Sequence, residues 1–188
     1  MAILNEKFEQ ALQFACEVHR HQKRKGTEVP YVTHLMTVSA LVGEHGGDEE
    51  QMTAALLHDA MEDQGVTYRQ IEQRFGKRVA EIVEACTDSI EQPKPPWRQR
   101  KERYLAHLVQ ASADAKLVSV ADKVHNARSI LTDLRIHGPA VWDRFTADRE
   151  SILWYYQSLI KAFRQNWQHP LIDELERSVR EIERLCKI

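Results

Sequence analysis

Helix start and stop signals follow one another along this chain so closely that only a stack of short helices satisfies them. Asp48 with Gln51, and Thr67 with Gln70, form two capping boxes. In each, an oxygen and an amide side chain meet backbone groups that a helix start leaves unpaired. Gly46-Gly47, Gly65 and Gly76 stand where the preceding runs must stop. Between these marks apolar residues recur at helical spacing, as Phe8, Leu12 and Ala15 do. The pattern predicts helices over 4–22, 32–44 and 49–64, and a short one from Thr67 to Gly76. Others follow over 77–87, 97–110, 113–135, 140–166 and 170–187. No segment alternates like a strand, although the 24–33 region, broken by Gly26 and Pro30, has room for one small hairpin.

Composition supports the same class. The chain holds 7 Gly and 6 Pro in 188 residues, whereas average usage would make these types roughly 12%. That argues against a Gly-rich nucleotide fold, an all-β sandwich and a disordered chain. The expectation is an all-α bundle of about eight to ten helices in one domain over 1–188. Its core runs from about 5 to 165, followed by the C-terminal helix at 170–187. The proline cluster in SIEQPKPPW reads as a loop inside that domain, because two halves would each make a marginal core.

Twenty-six basic against 28 acidic residues give a net charge of −2, so no global field draws nucleic acid or an anionic membrane. No run of apolar residues is long enough to span a bilayer. The first twenty residues read as an amphipathic helix rather than a secretory leader. Cys16, Cys86 and Cys186 lie far apart without a CxxC, which suits a reducing cytoplasm and excludes a cysteine zinc site.

The chemistry concentrates in His58-Asp59-Ala60-Met61-Glu62-Asp63. His58 and Glu62 are four residues apart on a helix, as are Asp59 and Asp63, so all four head groups can reach one cavity from one helical turn. His58 and Asp59 suit metal ligation, and Glu62 and Asp63 stand ready to orient or deprotonate a water on that metal. An acidic helix end capped by a histidine is the plainer reading. It leaves unexplained why charges follow the apolar run Ala54 to Leu57, where burial is costly without partners. His34 and Asp122 are the candidates to complete the ligand set. Alone, His34 reads as a helix-start histidine and Asp122 as a partner for Lys123 or Arg128. Two His and two Asp favour Mn²⁺, with Fe²⁺, Co²⁺ or Zn²⁺ as substitutes.

Asn126 and Ser129 share the helix face of Asp122 and can hydrogen-bond a nucleotide. Arg24 and Lys25 sit nine residues or so before His34, close enough to flank the same site. The charges at Lys94, Arg98, Arg100, Lys101 and Arg103 read mostly as solvated helix surface. Trp142, Trp154, Tyr155 and Trp167 read as core packing, with Tyr155 and Arg149 as candidates to face the cleft.

Together these residues resemble the HD-domain phosphohydrolases, and more narrowly the stand-alone small alarmone hydrolases among the RelA/SpoT homologues. Arg24 to His34 resembles the family's RK…PY…H motif, and His58 to Asp63 its HDxxED. Thr67 to Gly76 looks like the segment that follows, and Ala121 to Arg128 resembles its ADxxHNxR. The likeness covers about residues 5 to 165. It implies that His34, His58, Asp59 and Asp122 hold one Mn²⁺ and that Glu62 and Asp63 position and activate the attacking water. It implies nucleotide contacts from Arg24 and Lys25, then Asn126 and Ser129, with Lys123 and Arg128 as further contacts.

The implied reaction removes the 3′-pyrophosphate from (p)ppGpp or (p)ppApp without a covalent intermediate. Two positions depart from the family pattern: Leu35 stands where Pro is common, and Ser129 where Thr is frequent. A synthetase or regulatory module has no room beside this domain. The competing readings are an HD-family 5′-nucleotidase or dNTP phosphohydrolase, and a catalytically silent nucleotide-binding protein. The expected partner is a small nucleotide, with no nucleic acid and no membrane. The last helix, carrying Leu175, Val179, Ile182 and Leu185, is left to pack on its own domain or on a second copy in a homodimer.

Overall fold

The computed structural model describes residues 4–186. Among these residues it contains ten α-helices, one 3₁₀ segment and no sheet. The helices are α1 (Glu6–Val18), α2 (Val32–Glu44), α3 (Glu49–Leu57), α4 (Ala60–Gln64), α5 (Tyr68–Phe75) and α6 (Lys77–Cys86). They continue as α7 (Trp97–Gln110), α8 (Ala113–His137), the 3₁₀ segment Gly138–Arg144, α9 (Arg149–Arg164) and α10 (Pro170–Leu185). The all-α class read from the sequence is the class observed. Both capping boxes form, Asp48 with Gln51 and Thr67 with Gln70.

The longest helix, α8, is the axis of the molecule. It packs against α2, α3, α6 and α10. Ala54, Ala55, Ala121 and Ala127 are fully buried at these contacts, and their small side chains let backbones come close. Leu35, Leu56 and Leu57 fill the space between, each contributing about 1.5–3 kcal/mol by leaving water. This packing sets the first turn of α2, the α3–α4 junction and the middle of α8 side by side.

Four expectations need correction. The first helix ends at Val18 rather than 22. Beyond it, His19 is buried against Tyr31, and Tyr31 N–H and Arg24 N–H bond back to the carbonyls of Gln22 and Val29. The hairpin shrinks to a single antiparallel bridge between Lys23 and Pro30, because Pro30 has no N–H with which to extend a ladder. The run 49–64 is two helices, broken at His58-Asp59. The run 140–166 is the 3₁₀ segment, an extended stretch, and α9, which starts where the Asp48-like cap Asp148 accepts from Ser151 N–H.

Gly26 has φ +72°, and a Cβ there would lie 2.6 Å from Arg144 Cδ. Glycine therefore lets the basic loop 24–29 lie directly against the 3₁₀ segment. The apolar face of α10 is spent inside the chain: Leu171, Ile172, Leu175, Val179 and Ile182 are buried and pack on α8 and α9. Lys187, the last residue of the expected helix, lies outside the described residues. No helix among them is long and apolar enough to cross a membrane.

Candidate metal centre and adjoining cleft

Three elements deliver four donor side chains to one buried point. His34 comes from the first turn of α2, His58 and Asp59 from the α3–α4 break, and Asp122 from the middle of α8. His34, His58 and Asp122 are 0%, 2% and 6% exposed. His58 Nε2 lies 3.0 Å from Asp59 Oδ2, and His34 Nε2 lies 3.2 Å from Asp122 Oδ1. The two crossed distances are both 3.7 Å. Neither Nε2 has a hydrogen-bond partner, although both are buried. Two orphaned imidazole nitrogens facing two carboxylates are costly in a packed core. A cation between them would satisfy all four.

The outer atoms of these side chains are tied down. His58 Nδ1 donates to the Ala55 carbonyl at 2.8 Å. His34 Nδ1 meets His125 Nδ1 at 2.6 Å. Asp59 Oδ2 accepts from the Tyr31 hydroxyl at 2.6 Å. Asp122 Oδ2 accepts from Lys123 at 2.6 Å, and its Oδ1 from the Asn126 amide.

Burial alone would raise Asp59 and Asp122. For Asp59 the neighbouring His58 and His34 outweigh it, and for Asp122 the ammonium of Lys123 does, so both sit well below the usual carboxylate range. Burial would likewise lower His58, yet Asp59 and Asp122 hold it well above its ordinary value. Without a metal, the His58 proton takes part of the cation's role. His125 goes the other way, pushed down to about 4 by burial and by the nearby His34 and Arg24.

The break at His58-Asp59 changes how the HDxxED residues are disposed. They do not all face one cavity from one turn. Asp63 lines the cleft beside the cluster, with Oδ2 accepting from Gln22 at 2.7 Å. Burial, then the charge of Asp59, raise its carboxyl above the ordinary value. Glu62 turns toward the proline-rich loop, accepting from Lys94 at 2.8 Å and from Asp88 N–H at 3.2 Å.

The cleft has a volume of about 740 Å³. Arg24 donates to Asn126 Oδ1 at 2.8 Å and Ser129 Oγ at 3.4 Å, and Lys25 donates to Thr146 Oγ1 at 3.1 Å. No carboxylate pairs with either cation among the described residues. The other cations of the cleft are neutralised: Lys23 by Glu28, Lys123 by Asp122, Lys101 by Asp88, Arg128 by Glu174 and Arg144 by Asp133. Tyr155 is buried in the cleft wall, within charge range of Lys123, with its hydroxyl unpartnered.

Arg149 does not reach the cleft. It is exposed in the first turn of α9, within charge range of Cys186. Of the basic run, Arg98 and Arg103 are surface charges paired with Glu102 and Glu91. Arg100 and Lys101 instead converge on the buried Asp88, contrary to the solvated reading. Sequence reasoning also passed over Tyr31, Gln22 and His125. The signals were there: Tyr31 precedes His34 by one helical turn, and His125 follows Asp122 by three residues.

The chain matches the HD domain family over residues 11–153. It is 40% identical over 136 residues to a Xenopus tropicalis protein named guanosine-3′,5′-bis(diphosphate) 3′-pyrophosphohydrolase MESH1, covering 71% of this chain and 72% of that one. The Drosophila melanogaster protein of the same name is 35% identical over 146 residues, covering 76% and 78%. Among solved structures, a metazoan ortholog of SpoT, described as hydrolysing ppGpp and playing a role in starvation responses, superimposes with a TM-score of 0.80. Its identity is 29%, over 96% of this chain and 98% of that one.

Proposed function

The chain belongs to the HD-domain phosphohydrolases, in the small alarmone hydrolase branch, and from that premise we propose that it removes the 3′-pyrophosphate of (p)ppGpp, of (p)ppApp, or of both. Water attacks the phosphorus bonded to the 3′ oxygen, and the P–O3′ bond breaks. Pyrophosphate leaves, and the nucleoside 5′-diphosphate or 5′-triphosphate keeps a 3′-hydroxyl. The observation that carries this reading is the pairing of two sites: a buried cluster with orphaned Nε2 atoms, beside a cleft in which Arg24 and Lys25 have only neutral partners.

The donor set fits a divalent ion. His34, His58, Asp59 and Asp122 would hold it, and two imidazoles with two carboxylates and no sulfur favour Mn²⁺, with Fe²⁺, Co²⁺ or Zn²⁺ as substitutes. When bound, such an ion polarises a phosphoryl oxygen and lowers the pKa of water. Asp63 takes the proton of the attacking water, its raised carboxyl making it a better base than an ordinary aspartate. Glu62, held by Lys94 and the Asp88 amide, completes the acidic pair and fixes α4 in place.

Arg24 and Lys25 bind phosphate by charge-assisted hydrogen bonds. Asn126 and Ser129 sit beside Arg24, within reach of a ribose hydroxyl, while Lys123 and Arg128, already paired with Asp122 and Glu174, line the cleft wall as further contacts. Tyr155 lines the same cleft as a further contact. The three cysteines are free, in keeping with work on a soluble nucleotide in a reducing cytoplasm.

Product identity tests the proposal. Metal-stripped protein with Mn²⁺ is incubated with ppGpp, pppApp, GTP, dGTP and AMP, and products are separated by chromatography. Pyrophosphate together with GDP or ATP, from the 3′-pyrophosphorylated nucleotides alone, is the expected result. Attack on dGTP or AMP with the alarmones intact would overturn it in favour of a nucleotidase.

A further inference from the structure

The two histidines of the cluster are anchored by different means. His58 gives its Nδ1 hydrogen to a backbone carbonyl, that of Ala55, an acceptor that survives any side-chain substitution. His34 has no such carbonyl. Its Nδ1 meets only the Nδ1 of His125, at 2.6 Å. The rings are inclined by 27° with centroids 4.8 Å apart. That separation exceeds the nitrogen–nitrogen distance by about one ring diameter, so the rings meet edge to edge, in nearly one plane. This is the geometry of an N–H···N hydrogen bond, in which one nitrogen must donate and the other accept.

We propose that His125 is a positioning residue: its Nδ1 accepts the hydrogen of His34 Nδ1 and thereby keeps the lone pair of His34 Nε2 aimed at Asp122 and Asp59. This role rests on the cluster being a metal centre. An Nε2 hydrogen on His34 would point into the buried space between two carboxylates and two helices, where a cation is to sit. Moving that hydrogen to Nδ1 requires an acceptor there, and His125 supplies it by carrying its own hydrogen on Nε2, on a ring that lines the open cleft. Outer partners of this kind orient a ligand and raise its basicity. Asp122 and His125, one turn apart on α8, then act together: one faces the cation, and the other aims the histidine opposite.

Two substitutions separate the acceptor from mere packing. His125→Asn keeps an oxygen where Nδ1 stood, and His125→Leu fills the space without one. Mn²⁺ affinity is read from the paramagnetic resonance of the free ion, with no substrate present. The expected result is about 10–100-fold weaker binding for His125→Leu, and affinity close to wild type for His125→Asn. Equal affinity for wild type and His125→Leu would overturn the inference, as would an Asn variant as weak as the Leu variant.

A measurement on the unaltered protein stands behind both. In nitrogen-15-labelled, Zn²⁺-loaded wild type, a through-hydrogen-bond coupling should link the two Nδ1 atoms, and its absence would overturn the assignment. A wild type that binds no Mn²⁺ would instead bring down the metal centre itself, a failure distinct from equal binding by wild type and variant.

Discussion

The buried cluster and the open cleft handle their charged groups in opposite ways. In the cluster the carboxylates have cationic partners within the protein: His58 for Asp59, and Lys123 with His58 for Asp122. Three helices hold the geometry, and water is largely excluded. In the cleft, Arg24 and Lys25 lean on an amide and hydroxyls, which orient a cation without neutralising it. The first arrangement suits an ion that stays. The second suits an anion that comes and goes. The difference teaches where chemistry and selection are divided, and each can be broken separately.

The largest effect should follow from breaking the cluster. Asp122→Ala or His58→Ala should lower kcat/KM by at least about a thousandfold, since the polarising ion supplies several kcal/mol of transition-state stabilisation. Removing the metal with a chelator should do the same to the wild type, and Mn²⁺ should restore only the wild type. Steady-state rates with a pyrophosphate assay decide this. Next in size is the acidic pair. Asp63→Asn should cost about 10²–10⁴-fold in kcat with KM little changed. Glu62→Gln should cost less, because Glu62 faces Lys94 and the Asp88 amide rather than the cleft. An equal loss from both would show that the two carboxylates act as a unit.

Breaking the cleft should look different. Arg24→Ala loses a charge-assisted hydrogen bond worth about 1.5–3 kcal/mol, so KM should rise by roughly 10–150-fold while kcat changes little. Added salt should raise the wild-type KM and leave that of Arg24→Ala flatter, because screening acts on the charge already removed. A drop in kcat equal to the rise in KM would erase the distinction between the two regions.

How much of this was legible in the sequence depends on how local the cause is. The capping boxes at Asp48 and Thr67 were legible because a helix start is decided within four residues. The break at His58-Asp59 was not, because tertiary contacts create it: His58 and Asp59 leave the helical ladder to meet His34 and Asp122, which lie far away in the chain. The break before α9 did have local marks, in Gly138-Pro139 and in Asp148 with Ser151 three residues on. Apolar periodicity across 140–166 masked them. Ligand-type residues could be proposed from spacing and from a family likeness, whereas the outer partners Tyr31 and His125 show only a helical-turn spacing to His34 and Asp122 that assigns them no role, and Gln22 carries no pattern of its own. Arg149 is the converse, a plausible residue type on a helix start that packing leaves in solvent.

A smaller effect sharpens the electrostatic side of the comparison. Without metal, His58 is held above its ordinary 6.5 by Asp59 and Asp122, so it carries a proton at neutral pH. A cation must displace that proton. Apparent Mn²⁺ affinity should therefore climb about tenfold per pH unit through the neutral range and level off once the pH passes the raised value. Titrations in a series of buffers, with proton release counted, check the sign. A flat profile would mean that the cluster is already deprotonated and compensated in some other way.

The smallest expected effect is the control for the cleft. Lys25 and Arg149 are both exposed cations, and a general field would treat them alike. Lys25 lines the cleft and donates to Thr146, whereas Arg149 stands outside it. Lys25→Ala should raise KM severalfold, less than Arg24→Ala because its ammonium is a single point charge rather than a planar fork. Arg149→Ala should leave KM and kcat within about twofold, the size of a distant surface charge in physiological salt. If the two substitutions raised KM equally, the cleft would be recruiting its nucleotide by summed surface charge. The neutral partners of Arg24 and Lys25 would then have no part in nucleotide binding.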